Sequence, residues 1–322
     1  MWIQDFVGCL EDSTSVHSRV DEANAIKEQH LPARVYKYRY DNDYSRLNLR
    51  TGTVWMASPE SYNDPYDSWL NLSVDILKIL LEARLVDQFA AAAKLTGTIS
   101  EREIEKAKKS IRPLRRIVDY IQLSKPPDAI LYWSQKAESY SAELLKYAEA
   151  TALQLAKFRK LAKVCSFSEA NDSLLMWSHY ANHHRGFCIE YELDSLGASD
   201  FFRKNLYPVL YSKDFYDLRP FMEGLTGGSR QEFKLMLPLL AMLHKFEGWG
   251  YEKEWRLVSE TEVIEADRNR PAPLPSKVFL GARFDPSIGK DLLAICRQKT
   301  IPIAQMQLVS DKFALSSQDL PD

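Results

Sequence analysis

The 322-residue sequence predicts an α+β fold with a mixed, largely antiparallel sheet core and a helical insertion. Three observations predict it. Several strand-like segments follow one another without intervening helices of β-α-β length, which disfavours a doubly wound parallel sheet. A block from about 72 to 163 is instead dominated by Leu, Ala, Glu and Lys at helical spacing. Only 12 glycines are present, about half the usual ~7%, and no G-x-G-x-x-G, G-x-x-x-x-G-K-[ST] or G-x-S-x-G motif occurs. A Rossmann dehydrogenase, a P-loop NTPase and an α/β-hydrolase are thereby disfavoured.

The elements follow in order. Residues 1–31 read as an N-terminal helical segment closing near Gln29. Arg34–Tyr40 alternates with period 2, placing Val35, Lys37 and Arg39 on one strand face. Leu47–Arg50 and Thr53–Ala57 flank the turn residue Gly52. Ser58–Asp67 reads as a structured loop, because Pro59 and Pro65 remove donors and Asn63-Asp64-Pro65 favours a turn. In the insertion, Ser100 with Glu103 forms a capping box for a helix expected to reach Ile121. Pro126-Pro127 separates it from another helix running to about Lys160. Beyond it, strands are expected at Val164–Ser168, Gly186–Glu192, Leu206–Tyr211, Glu252–Val258, Lys277–Leu280 and Ala304–Val309. Helices are expected at Ser173–Asn182, Arg230–Phe246 and Ser287–Gln298. The core is thus 32–71 plus 164–322, with 72–163 inserted.

Charge and cysteine narrow the class. Forty-two Lys and Arg against 44 Asp and Glu exclude a strongly basic nucleic-acid protein but allow a local basic groove. Cys9, Cys165, Cys188 and Cys296 contain no C-x-x-C pair, so buried reduced thiols are expected rather than a zinc ribbon. No apolar run approaches the ~20 residues of a membrane span, and the first residues lack a basic region before their apolar ones. A cytoplasmic protein without membrane association is the expectation.

Three stretches carry candidate chemistry. In Gly248–Val258, strand alternation would place Glu252, Glu254 and Arg256 on one face. Such a grouping can push two carboxyl pKa values apart, although a solvent-facing charged edge has the same spacing. In Asp172–Ile189, His179 and His183 would lie four apart on a helix, half a zinc site without its third ligand, so no metal is expected there. His184 could hydrogen-bond near Gly186 or reach a ligand. In the first strand and its loop, Tyr36, Lys37, Tyr38 and Arg39 come near Ser58, Asn63, Asp64 and Asp67. Aromatic faces with adjacent cations suit a planar base and a pyrophosphate; a core strand with snorkelling ends is the plainer alternative.

Together these stretches resemble an uncharacterised bacterial family of unknown function found near mobile and phage-defence genes. The resemblance rests on Tyr36-Lys37-Tyr38, Asn63-Asp64-Pro65-Tyr66-Asp67, Ser166-Phe167-Ser168, Trp177-Ser178-His179-Tyr180-Ala181, His184-Arg185-Gly186 and Tyr251-Glu252-Lys253-Glu254-Trp255-Arg256. At one further remove the layout is similar to ADP-ribosyltransferases. That similarity implies NAD as substrate, with Glu254 holding the ribose and Glu252 orienting the acceptor. It also implies cofactor contacts from Lys37, Tyr36, Tyr38, Ser58, Asn63, Tyr180, His184 and Arg256. Lys37 stands where such enzymes carry Arg or His, and Tyr180 or Ser168 would supply the central ring or hydroxyl. A toxin or defence effector modifying nucleic acid or protein is implied, with an antitoxin or partner protein on the helical insertion. The alternatives are a nucleic-acid hydrolase using Asp64, Asp67, Glu252 and Glu254 around Mg²⁺, and a non-catalytic ligand sensor or scaffold.

Overall fold

The computed structural model describes residues 2–11, 16–68, 73–93, 99–122, 126–216, 239–259 and 268–321. Helices α1 (Trp2–Glu11) and α2 (Val16–Gln29) precede strand β1 (Arg34–Arg39), helix α3 (Asp43–Thr51) and β2 (Thr53–Trp55). The insertion holds α4 (Val74–Ala92), α5 (Glu101–Lys108), α6 (Pro113–Gln122) and α7 (Pro127–Leu161). Then come β3 (Lys163–Ser168), α8 (Leu174–Tyr180), β4 (Phe187–Glu192), α9 (Phe201–Lys204), β5 (Leu206–Pro208), β6 (Leu210–Ser212) and β7 (His244–Phe246). The chain continues through β8 (Glu254–Ser259), β9 (Asn269–Pro271), β10 (Lys277–Leu280), α10 (Lys290–Gln298), β11 (Ile303–Leu308) and β12 (Leu315–Asp319).

Eight strands form one sheet in the order β12-β11-β10-β4-β1-β3-β8-β5. Every pairing within it is antiparallel except β10 with β11, so the α+β expectation holds. Alternation sorts the side chains onto two faces. Val35, Phe187, Ile189, Trp255, Leu257 and Val278 join one core with α3 and α10. Tyr38, Cys188 and Phe279 face the other way, against Met176 and Trp177 of α8. The N-terminal helix is part of the core: Phe6, Val7 and Leu10 pack with Val164, Leu240 and Val258. The inserted helices enclose an apolar cluster of their own around Val86, Leu114, Ile117 and Val118.

Local chemistry explains where the elements depart from expectation. Asn42 accepts from the Ser45 amide and Gly52 takes a left-handed conformation, so Asp43–Thr51 is a capped helix. The Ser100–Glu103 capping box forms, but its helix stops at Lys108 and a new one starts with Pro113 in its first turn. Leu206–Tyr211 divides: β5 pairs with β8, whereas β6 pairs in parallel with β7 in a separate two-stranded ribbon. Of the helix expected at Arg230–Phe246, residues 230–238 lie outside the described residues; 239–243 are helical and His244–Phe246 form β7. β12 was not foreseen; its Ser-Ser-Gln-Asp run pairs along the edge of β11.

Candidate functional site

The site forms where β1 and β3 separate. These neighbours pair only at Tyr36 and Ser168, while β1 stays paired to β4 along its whole length. The Ala57 and Val164 amides and carbonyls exchange bonds of 2.8 and 2.9 Å, which moors the following loop beside β3. A short 3₁₀ turn at Pro59–Ser61 then delivers Tyr62, Asn63 and Asp67 over the gap. The resulting cavity has a volume of about 170 Å³. Sites that enclose a drug-sized ligand usually offer roughly 300–1,000 Å³, so this one encloses a ring rather than a dinucleotide.

Its polar wall is a buried ion cluster. The Lys245 ammonium lies 2.5 Å from Glu252 Oε2, 2.9 Å from Glu254 Oε2 and 3.4 Å from Asp67 Oδ2. Arg256, fully buried, donates to Glu254 Oε1 (2.9 Å) and Oε2 (3.1 Å), Asp67 Oδ2 (2.7 Å), Ser68 Oγ (3.1 Å) and the Met242 carbonyl. Two cations thus face three carboxylates, the pairing that buried charge requires. Tyr180 donates to Glu252 Oε1 at 2.6 Å, and the Tyr211 hydroxyl accepts from the Glu254 amide at 2.8 Å.

The two glutamate carboxyls are shifted in opposite directions. Burial would raise the Glu254 carboxyl, but Arg256 and then Lys245 outweigh it and hold it well below the usual carboxylate range. Burial raises Glu252, and the repulsion of Glu254 adds to this against the pull of Lys245. Burial would lower Lys245, yet Glu254, Glu252 and Asp67 together keep it a firm ammonium against the opposing Arg256. Both Glu254 oxygens are bonded to cations. Of the two, Glu252 is the carboxyl whose hold on a proton is strengthened.

Lys37, Tyr36, Tyr38, Asn63, Tyr180, Glu252 and Glu254, drawn from distant segments, line this one cavity, with Ser168 beside them. Other expected residues sit elsewhere. Arg256 lies behind the wall, spent on Glu254 and Asp67. Ser58 is buried at the start of the 3₁₀ turn and is not among the lining residues. His184 is also outside the lining: its ring lies against Trp177, with Nε2 3.2 Å from Ser178 Oγ. Burial, then Arg283 and His183, lower its pKa. The spacing of His179 and His183 means nothing helical, because α8 ends at Tyr180 and Asn182, His183 and His184 all take positive φ. Glu252 does not share a strand with Glu254; it closes a 3₁₀ helix at Glu247–Glu252, and Lys253 at φ 45° turns the chain into β8. The two carboxylates meet through Lys245 instead.

Lys245 was not foreseen. Nothing in Leu-His-Lys-Phe marks it, and it becomes the cluster's centre only because β7 is carried beside the turn at Glu247–Glu252. Its ammonium occupies the space between Asp67, Glu252 and Glu254 that a divalent cation would need, while Asp64 accepts from Trp249 Nε1 at 2.7 Å. Among the described residues no group of three or more His, Cys, Asp or Glu is arranged to hold a metal. All four cysteines are buried, and no described helix is long and apolar enough to cross a membrane.

A family described as "Protein of unknown function (DUF2971)" matches residues 176–257. The match runs from α8 to β8 and so includes Tyr180, Lys245, Glu252 and Glu254, whereas Lys37 and the Asn63–Asp67 loop lie before it. No curated protein and no solved structure matches the chain.

Proposed function

We propose that the chain is an ADP-ribosyltransferase-like enzyme that acts at the N-glycosidic bond of NAD, with Glu252 rather than Glu254 as the working carboxylate. The observation that carries this reading is Glu252 itself, fixed between Lys245 and Tyr180 on the wall of a cavity lined by Tyr36, Tyr38, Tyr62 and Phe167. Aromatic walls accept a planar ring such as nicotinamide. As the ring leaves, positive charge develops at the anomeric carbon, and an oriented carboxylate in a dry site stabilises it. The same carboxylate, with its pKa raised, can then take the proton of the incoming acceptor. Glu254 keeps the positioning role, holding Lys245 and Arg256 in place. A cavity of about 170 Å³ admits the nicotinamide ring, and the rest of the dinucleotide lies outside it. A second cavity of about 360 Å³, lined by Tyr66, Phe215 and His244, shares Lys245 with the first and is the space into which it would extend.

On this reading a toxin or defence effector acting on a nucleic-acid or protein acceptor is the biological class, with the helical insertion as the surface for a partner protein. The test is NAD binding by titration calorimetry together with nicotinamide release followed chromatographically. Glu252→Gln should bind NAD within a few-fold of the parent and lose turnover by about a hundredfold or more, the usual contribution of a positioned acid–base group. Full turnover in Glu252→Gln, or neither binding heat nor nicotinamide release from the parent across acceptor mixtures, would reject the proposal.

A further inference from the structure

The cavity contains two lysines, and the structure treats them differently. Lys245 is bound by three carboxylates. Lys37 makes no ion pair with any described residue: its Nζ donates to the Ser166 carbonyl at 2.6 Å and lies 5.4 Å from the centre of the Phe167 ring. By strand alternation its side chain leaves β1 on the opposite face from Tyr36 and Tyr38. It nevertheless lines the same cavity, because it reaches through the gap between β1 and β3 and takes an acceptor on β3 that a continuous ladder would have given to a β1 amide. The amine therefore lines the cavity with the Ser166 carbonyl and the Cys165 side chain as partners and, among the described residues, no ion pair.

We propose that Lys37 is a nucleophilic amine that forms an imine with small aldehydes entering this cavity, the open-chain C1′ aldehyde of a pentose being the class that follows from the NAD reading above, on which this choice of class rests. The unprotonated Nζ attacks the carbonyl carbon, a C–N bond forms, and the C=O π pair moves to oxygen, which takes a proton. The carbinolamine then loses that oxygen as water, and the nitrogen lone pair closes a protonated C=N bond. Amine, aldehyde and one proton give iminium and water. The proton is drawn from water at the cavity and returned to it on hydrolysis.

Electrostatics agree with the geometry. Desolvation lowers the Lys37 pKa; the Cys165 thiol on β3 and Glu254 on β8 oppose the shift, and Arg39 on its own strand reinforces it. The remaining neighbours are Cys188 on β4, whose thiol is itself pushed up by burial, and Asp67 and Glu252, which are committed to Lys245 and Arg256. A desolvated lysine free of a carboxylate is the usual form of a Schiff-base residue.

The full chain is incubated at pH 7 with glycolaldehyde and cyanoborohydride, and alkylation is mapped by peptide mass spectrometry over time. Lys37 should label several-fold faster than the exposed Lys213 and Lys253, and Lys245 should not label. Glyceraldehyde added first should slow Lys37 alone. Lys37→Arg, which retains a donor for Ser166 and cannot form an imine, should fold with an unchanged melting temperature and lose the fast site. Labelling of Lys37 no faster than Lys213 would overturn the proposal and leave Lys37 a strut between the strands. Since no NAD is present, this outcome is independent of the Glu252 test: either proposal can fail while the other stands.

Discussion

Replacing Lys245 with methionine removes the cation that three carboxylates share while keeping the length of the side chain. The parent cluster sets Lys245 and Arg256 against Asp67, Glu252 and Glu254. The variant leaves Arg256 alone against three buried acids. Breaking a buried pair from one side costs about 3–5 kcal/mol, equal to roughly 1 M or more in the urea midpoint for a slope of about 3 kcal/mol/M. The loss must depend on pH. Without Lys245 the Glu252 carboxyl, already raised by burial, rises further, so the native state holds a proton that the unfolded state releases near its usual pKa of about 4.3. A raised folded pKa gives stability that is present in acid and lost as pH rises towards it. The variant should therefore lose up to about 1.4 kcal/mol per pH unit across that window, and its deficit should be larger at pH 8 than at pH 5.5. Urea titrations of parent and variant at the two pH values measure it. Equal deficits at both, or a deficit under about 1 kcal/mol at pH 8, would refute the assignment of Lys245 as the ion centre.

The fold makes two further demands. Gly281 passes the left-handed turn at Asn182–His184 so closely that an added Cβ would lie 2.2 Å from the His184 carbonyl oxygen; Gly281→Ala should cost about 3 kcal/mol by overpacking. Gly197→Ala, with nothing within 4 Å, should stay within about 0.5 kcal/mol, both read by thermal melting. Phe6, fully buried and 6.5 Å from the Tyr207 ring, should cost about 3–5 kcal/mol as Phe6→Ala if α1 belongs to the core; a change under 1 kcal/mol would make the N-terminal helix an appendage.

The aromatic motifs that marked the site in the sequence divide once the chain folds. Tyr36, Tyr38 and Tyr180 line the cavity. Trp177 and Trp255 are buried supports, donating to the Asn171 carbonyl and to Glu169 Oε1. Spacing could not separate the groups, because a buried Trp with a satisfied N–H and a ligand-facing Tyr obey the same strand and helix periods. The histidines show the opposite failure. Their i, i+4 spacing suggests a shared helix face, but helix geometry ends at Tyr180 and three successive positive φ values rotate His183 and His184 away.

The sequence by itself determined what depends on near neighbours: the α+β class, the alternation of β1, the capping box at Ser100, the turn chemistry of Asn63–Asp67, and the gathering of Lys37, Tyr180 and the two glutamates as one set. Only the tertiary structure decided which charges meet. Asp67 comes from the loop after β2, Lys245 from β7, Glu252 from the 3₁₀ turn and Glu254 with Arg256 from β8, and each is costly to bury alone; their positions are set by the packing of apolar residues on both sheet faces. Pairing among them holds the Glu254 carboxyl below its usual range while burial raises that of Glu252, and among the described residues Lys37 has no ion pair. Those shifts belong to distances across the fold, which no spacing along the chain encodes.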